Sequence, residues 1–346
     1  MADFDGDGDD DFAIGGRQSI PSLYWWRRGE DGWVRHVVAD SYLQLEAGMV
    51  AADVDGDGDL DIIAACDYQC NSIWWWENPH PDHDPETGWT RRTVKETGPK
   101  KHHDMAWGDV DGDGQGELVV WNQSGWDEER ITYLYVVEVP TAPTGAGEWP
   151  RTTVFQSTNY YEGLAVADVN QDGQDDIVGG GMWFEHMGGT DYLPHVLAEG
   201  AFRRPRVAVG DVIPGGWLEI LLVSADHVDG ELRLYEWWDG EWFVRVLLTG
   251  VHYGHSLELA DFDGDGYLDV FAAEMRYTNP APEDAATWVL YGDGNGSFTP
   301  AVIAYGYEHH DSQVGDLDGD GDMDILGKPY NWDTPRVDVW LNGGAP

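Results

Sequence analysis

Carboxylates recur along this chain at a spacing that suits a hard cation. Six segments carry the order D-x-[DN]-x-D-G-x-x-[DE]. They are Asp3, Asp5, Asp7 and Asp11; Asp53, Asp55, Asp57 and Asp61; Asp109, Asp111, Asp113 and Glu117; Asp168, Asn170, Asp172 and Asp176; Asp261, Asp263, Asp265 and Asp269; and Asp316, Asp318, Asp320 and Asp324. Oxygens at positions 1, 3 and 5 converge when the chain turns tightly, and glycine at position 6 permits the turn because it tolerates positive φ. A carbonyl from position 7 and the acid at position 9 complete a shell of hard oxygens, suited to Ca²⁺ rather than a soft metal. A seventh segment, Asp211 to Glu219, keeps the frame but has lost its middle carboxylates, so it is expected to hold no ion. About six structural Ca²⁺ sites follow. An EF-hand needs a longer loop between helices. Here apolar β-rich stretches such as Leu60-Asp61-Ile62-Ile63-Ala64-Ala65 flank a shorter one.

A second chemistry lies upstream of the loops. Counting back six residues from each first Asp gives Ala47, His103, Glu162, Pro205, His255 and His310; counting back seven gives Glu46, His102, Tyr161, Arg204, Gly254 and His309. Three histidines and a glutamate in one column admit two readings. Neutral imidazoles with Glu162 suit a transition metal such as Zn²⁺, Mn²⁺ or Fe²⁺. The same groups suit acid–base work, with His103, His255 or His310 taking a proton α to a uronate carboxyl, Tyr161 donating one, and Arg204 or Arg206 neutralising the acid. The remaining histidines, among them His36, His80, His83, His186 and His195, look scattered and structural.

Elements must place these residues. The loops start at 3, 53, 109, 168, 211, 261 and 316, so successive gaps are 50, 56, 59, 43, 50 and 55 residues. A repeat of that length decides architecture. In the second copy, Gln44 to Ala52 reads as an inner strand, Leu60 to Ala65 as a buried second, Ser72 to Pro79 as a third and Trp89 to Val94 as an alternating fourth. Four antiparallel strands repeated seven times predict an all-β, seven-bladed β-propeller spanning 1–346 as one domain. Trp-dense third strands (Trp25-Trp26, Trp74-Trp75-Trp76, Trp183, Trp237-Trp238) read as packing between blades. Along the inner strands, period-two alternation assigns Trp107/Met105, Val209/Val207 and Leu259/Leu257 to packing. It assigns Ala106/Asp104, Ala208/Arg206, Glu258/Ser256 and Gln313/Asp311 to a central channel. Second-strand ends at Asn122, Gln123, Glu274, Arg276, Lys328 and Tyr330 are expected to add a polar funnel at the same mouth.

Composition sets bounds. A net charge of −46, with four lysines, excludes nucleic acid as a partner, since phosphates are repelled. Six Ca²⁺ ions offset only about a quarter of that charge. No apolar run is long enough to span a bilayer. Cys66 and Cys70 fit a tight disulfide in an oxidising compartment or two buried thiols equally well. Calcium loops call for the millimolar Ca²⁺ found outside cells, which points to an extracellular or periplasmic, secreted protein. The chain starts directly before the first loop, and its last strand, 336–341, has no sequence for a fourth partner. A trimmed piece of a longer chain is therefore expected.

The repeat as written, for instance Leu259-Ala260-Asp261-Phe262-Asp263-Gly264-Asp265-Gly266-Tyr267-Leu268-Asp269-Val270, resembles the FG-GAP/VCBS repeat of integrin α-subunit propellers and many bacterial secreted proteins. The resemblance covers nearly the whole chain and implies the propeller and its calcium. It does not settle function, because that family includes adhesion modules, lectins and enzymes. The propellers of aldos-2-ulose dehydratase and several polysaccharide lyases look similar and work at the channel mouth. The resemblance therefore implies a carbohydrate ligand at the His-rich mouth, with a lyase or dehydratase as the enzyme class, and a noncatalytic adhesion, lectin or protein-interaction module as the alternative.

Overall fold

The computed structural model describes residues 1–29, 32–67, 70–124, 129–275, 283–329 and 336–344. Seven antiparallel sheets account for nearly all of its regular structure, each running through its strands in chain order. This is an all-β, seven-bladed β-propeller. Five sheets have four strands; the first and last have three each among the described residues.

The second sheet shows how sequence makes a blade. Its strands are Leu45–Ala52, Asp61–Cys66, Ile73–Glu77 and Thr90–Lys95, each within a residue or two of the expected span. All six residues of Asp61–Cys66 are buried, which explains why it reads as a continuous apolar run rather than an alternating one. The third strand faces packing on both sides: Trp75 and Trp76 are fully buried, and Trp25 and Trp183 match them on the third strands of other sheets. Truncating one such ring costs about 3–5 kcal/mol. Trp26, Trp74 and Trp237 are only half-buried and Trp238 is 66% exposed, so the expectation of packing holds for part of each Trp-dense strand and is corrected at Trp238.

The chain divides into two compact units, one of residues 1–161 and 187–192, the other of 162–186 and 193–346. Within the first, Val50 and Ala52 of one inner strand share a cluster with Met105 and Trp107 of the next inner strand, Lys101–Gly108. Within the second, Ala208 on Pro205–Gly210 is buried with Leu257 on Gly254–Ala260. This corrects the expectation that alternation separates core from channel. Sheets packed face to face bury both faces of this inner strand, so Ala208 packs against the next sheet.

Inner strands also break register at their entries, between Leu45 and Met49, between His103 and Met105 and between Gly254 and Ser256. Each of the last two bulges adds one residue against the partner strand and re-aims the side chains there. Asp104, at φ 52°, takes the extra place after His103. Among the described residues, no helix is long and apolar enough to cross a membrane.

Candidate functional site

The acidic loops are preorganised by their own carboxylates. At position 1, Asp3 accepts Asp7 N–H on Oδ1 at 3.1 Å and Gly8 N–H on Oδ2 at 3.0 Å. Asp53, Asp168, Asp261 and Asp316 take the same two donors in their own loops. Glycine at position 6 has φ between +90° and +99° in all seven copies, Gly216 of the fifth included. Five groups bring three acid oxygens within 4.8 Å of one another: Asp3/Asp5/Asp11, Asp53/Asp55/Asp57, Asp109/Asp111/Glu117, Asp261/Asp263/Asp265 and Asp316/Asp318/Asp320.

At position 3, Asp5 Oδ1, Asp55 Oδ1 and Asp318 Oδ1 are buried with no hydrogen-bond partner. A buried carboxylate oxygen without a donor is costly. Three such oxygens, each ringed by further carboxylates, fit a hard dication and little else, so the residues present suit Ca²⁺.

The ninth acid does something more. It is at most 2% exposed in every copy. One oxygen accepts the position-2 N–H of its own loop, as Asp61 does from Val54 at 3.1 Å. The other takes an N–H near the end of the third strand: Asn78 to Asp61, His186 to Asp176, Gly292 to Asp269 and Asn342 to Asp324. In the fifth loop Glu219 still accepts Ile213 N–H at 3.0 Å, although the other ligands are gone. The ninth acid therefore clasps loop to sheet with or without an ion. It joins a three-acid group only in the first and third loops. Burial, the largest cause, pushes Asp61 and Glu117 up to about 8, Asp11 and Glu219 to about 7 and Asp176 to about 6.

The upstream column divides between the two units. In the first, His103 Nδ1 meets Asp104 Oδ2 at 2.7 Å. Tyr161 is buried and stacked on Trp121 at 5.5 Å, and its carbonyl accepts from Gln123. In the second unit the column residues form a network. Arg206 donates to His255 Nδ1 at 3.0 Å and, through Nε, to the His255 carbonyl at 3.2 Å. His255 Nε2 faces Asp226 Oδ1 at 3.3 Å, and Arg204 pairs with Asp226 Oδ2 at 2.5 Å. Because Arg206 can only donate, Nδ1 accepts and Nε2 carries the proton. Burial lowers the His255 pKa and the hydrogen bond to Asp226 opposes it. His310 stacks on His255 at 5.1 Å, and the Glu162 charge reaches His255.

Both nitrogens of His255 are thus engaged, and no metal-capable group among the described residues includes a histidine. Sequence reasoning placed Glu258 only as a channel residue and missed Asp226. Burial and then Asp311 push Glu258 up to about 8, with Arg206 opposing, so this carboxyl is protonated at neutral pH. The polar interruption of an apolar strand at Glu258 was the available signal; Asp226, in a connecting segment, gave none.

The expected funnel of second-strand ends is corrected. Asn122, Gln123 and Glu274 are at most 2% exposed. Asn122 donates to the Lys101 carbonyl at 2.9 Å, and Glu274 accepts His252 N–H at 2.7 Å and Ala286 N–H at 3.0 Å. They satisfy backbone where strands end, which polar side chains do when such ends are buried. Arg276 and Tyr330, and the side chains of Glu46 and Ala47, lie outside the described residues. Cys66 and Cys70 form a disulfide, with Cα atoms 5.9 Å apart.

Comparison with known proteins adds three findings. The family model of the FG-GAP-like repeat matches residues 3–64, 53–120 and 216–272, about half the chain. Integrin alpha pat-2 of Caenorhabditis briggsae is 31% identical over 275 residues, 74% of this chain but 20% of that relative. The chain therefore spans about a fifth of the curated protein it matches. Among solved structures, a proposed 6-phosphogluconolactonase of Bacteroides fragilis aligns at TM-score 0.58 and 12% identity, over 96% of this chain and 94% of that one. The V. cholerae biofilm matrix protein Bap1 aligns at 0.50 and 11%, over 99% and 86%. At such identities the structural likeness carries the fold alone.

Proposed function

The chain belongs to the FG-GAP-like repeat family, and from that premise we propose that it is a calcium-stabilised, extracellular binding propeller whose ligand is a carboxylate-bearing saccharide held at Arg204, Arg206, His255 and His310. The observation that carries the ligand is the arginine pair. Arg204 and Arg206 are fixed by Asp226 and His255 beside the His255–His310 stack, so two cations stand preoriented on a chain of net charge −46. Guanidinium forks recognise carboxylates bidentately, and a ring pair offers a face for a sugar. Glu258, neutral at pH 7, adds a donor for a sugar hydroxyl or carboxylate rather than a repelling charge. Ca²⁺ bound in the acidic loops would stiffen the strands that carry these groups. The Cys66–Cys70 disulfide supports an oxidising compartment.

A lyase or dehydratase at the same place needs a ring nitrogen to take a proton. His255 spends both nitrogens on Arg206 and Asp226, so that chemistry rests on His310, and binding is the better supported reading. A transition metal in this column would have to displace Arg206 or Asp226 from His255. The identity to an integrin alpha chain favours a second reading, a protein-interaction module. Titration calorimetry in Ca²⁺ with uronate oligosaccharides and their neutral counterparts decides between them. Binding of the acidic sugars alone, abolished by Arg206→Gln, is expected; equal heats for both sugars, or none, would leave the protein-interaction module.

A further inference from the structure

The third strand of each sheet sets one residue level with the ninth acid of its loop, just before the residue whose N–H that acid accepts. The donors Asn78, His186, Gly292 and Asn342 give this place to Glu77, Glu185, Tyr291 and Leu341. In the first sheet Phe12 pairs with Trp26 and Arg28 donates its N–H to Asp11, which gives it to Arg27. In the third sheet Leu118 pairs with Val137, which gives it to Glu138. The loops repeat their chemistry, but this column does not: it holds a cation, two neutral side chains and several anions.

Arg27 is turned onto the first loop. Its guanidinium meets Oδ2 of Asp5, the position-3 acid, at 2.9 Å. The Asp5 side chain is only 6% exposed, and its Oδ1 is the buried, unpartnered oxygen grouped with Asp3 and Asp11. One carboxylate thus offers one oxygen to an ion and the other to a fixed cation. The third loop is the matched case, because its group also comprises positions 1, 3 and 9, here Asp109, Asp111 and Glu117. There the column residue is Glu138, near enough for its charge to act on Asp111 and Asp113. Arg27 is not needed to aim position 3. Asp55 Oδ1 and Asp318 Oδ1 are buried and unpartnered in the same way, in loops whose column residues are Glu77 and Leu341. What Arg27 adds is charge.

We propose, on the reading that the acidic loops hold Ca²⁺, that Arg27 and Glu138 set the affinities of their two loops apart. The guanidinium weakens the ion of the first loop, the carboxylate strengthens that of the third, and the first loop empties before the third as Ca²⁺ falls. Ligand charge tunes the affinity of oxygen-donor calcium sites over orders of magnitude. One positive charge a few ångströms from a dication weakens it by about tenfold even at the dielectric constant of water. Glu77 stands in the same column but accepts from Arg92 Nε at 2.8 Å, which offsets its charge. Glu138 and Arg27 are therefore the two ends of the series.

Calorimetric titration of the chelator-treated full chain with Ca²⁺ tests this. Arg27→Gln should make one ion per chain bind about tenfold more tightly, a gain that a misfolded variant cannot mimic. Adding Asp3→Asn to that variant should abolish the gain, which places it in the first loop. Arg27→Lys keeps the charge and should titrate like the wild type. Glu138→Gln should make one ion bind several-fold more weakly. If Arg27→Gln leaves every ion at its wild-type affinity, the column does not grade the loops. If it weakens one ion instead, Arg27 is a support that holds Asp5 in place, and the assignment is overturned. A wild-type chain that takes up no Ca²⁺ would remove the loop sites themselves, so the wild-type titration tells that failure from the other two.

Discussion

Asn78 donates its side-chain amide to the carbonyl of Phe4, 74 residues earlier, and its own N–H to Asp61 of the loop between. Asn342 does the same with Phe262 and Asp324. One residue, by its backbone N–H and its side-chain amide, thus ties the ninth acid of its own loop to position 2 of the preceding loop. The clasp links neighbouring repeats at the level of the acidic loops, and it explains why asparagine follows the third strand in both copies.

Removing the clasp should cost stability in both places. Asn78→Ala and Asn342→Ala each strand buried carbonyls and should lower unfolding free energy by about 1–3 kcal/mol in saturating Ca²⁺, read from urea midpoints. Unchanged urea midpoints in both variants would detach the two amides from the link between repeats.

The position-3 carboxylates give a prediction whose sign reverses with calcium. Asp55 Oδ1 is buried without a donor, so in chelator the ionised group is a burden and Asp55→Asn should raise the melting midpoint or leave it unchanged. In Ca²⁺ the same change removes a ligand and should lower it, since an ion that binds only the folded chain stabilises by mass action. Differential scanning calorimetry in both buffers checks this. A wild-type midpoint that ignores EDTA would remove calcium from the account altogether.

Much of this was legible in sequence because the loops repeat in frame: the second sheet is found within a residue or two of its expected strands. What was not legible has two physical causes. The bulge at His103/Met105 inserts Asp104 between the loop and His103, whereas at Gly254/Ser256 the inserted residue is His255 itself, so counting back from the first Asp places His103 and His255 in one column although their registers differ. And contacts such as His36 with His83, or His255 with Asp226, join segments whose spacing shares no period with the loops. Alternation failed at Ala208 because it presumes one solvated face, and a strand between packed sheets has none.

Histidines that are buried neutral should each weaken this fold in acid. His102 is held down to about 3, by burial first and then by Lys95, whose ammonium lies 3.1 Å from its Nε2. Burial holds His309 down to about 4. Unfolded, both titrate near 6.5, so between that value and the folded ones the unfolded chain binds more protons and stability falls as pH falls. Each contributes a slope of up to about 1.4 kcal/mol per pH unit in that window. Raised carboxyls such as Glu219 act in the opposite sense over the same range, so the readout is a difference: from pH 7 to 4.5 in Ca²⁺ the urea midpoint of the wild type should fall relative to that of a replacement at 102 that cannot protonate, and parallel curves would count against His102.

On the alkaline side the fifth loop isolates the clasp from calcium. Glu219 is 2% exposed, and burial raises it from 4.5 to about 7, with backbone donors to its carboxylate opposing. A raised carboxyl favours folding while protonated: its contribution is complete below the unfolded value near 4.5 and is lost as pH rises through about 7. Glu219→Gln keeps an acceptor for Ile213 N–H and cannot ionise. The variant should therefore match the wild type near pH 5 and exceed it by about 1–3 kcal/mol at pH 8, after the discount for hydrogen bonds that the charged form makes more strongly. The comparison is free of metal linkage because this loop lacks the middle carboxylates. If Glu219→Gln instead weakens the fold at pH 8, the ionised carboxylate is the working form of the clasp, and the ninth acids of the other six loops should be read as anions locked by their backbone donors.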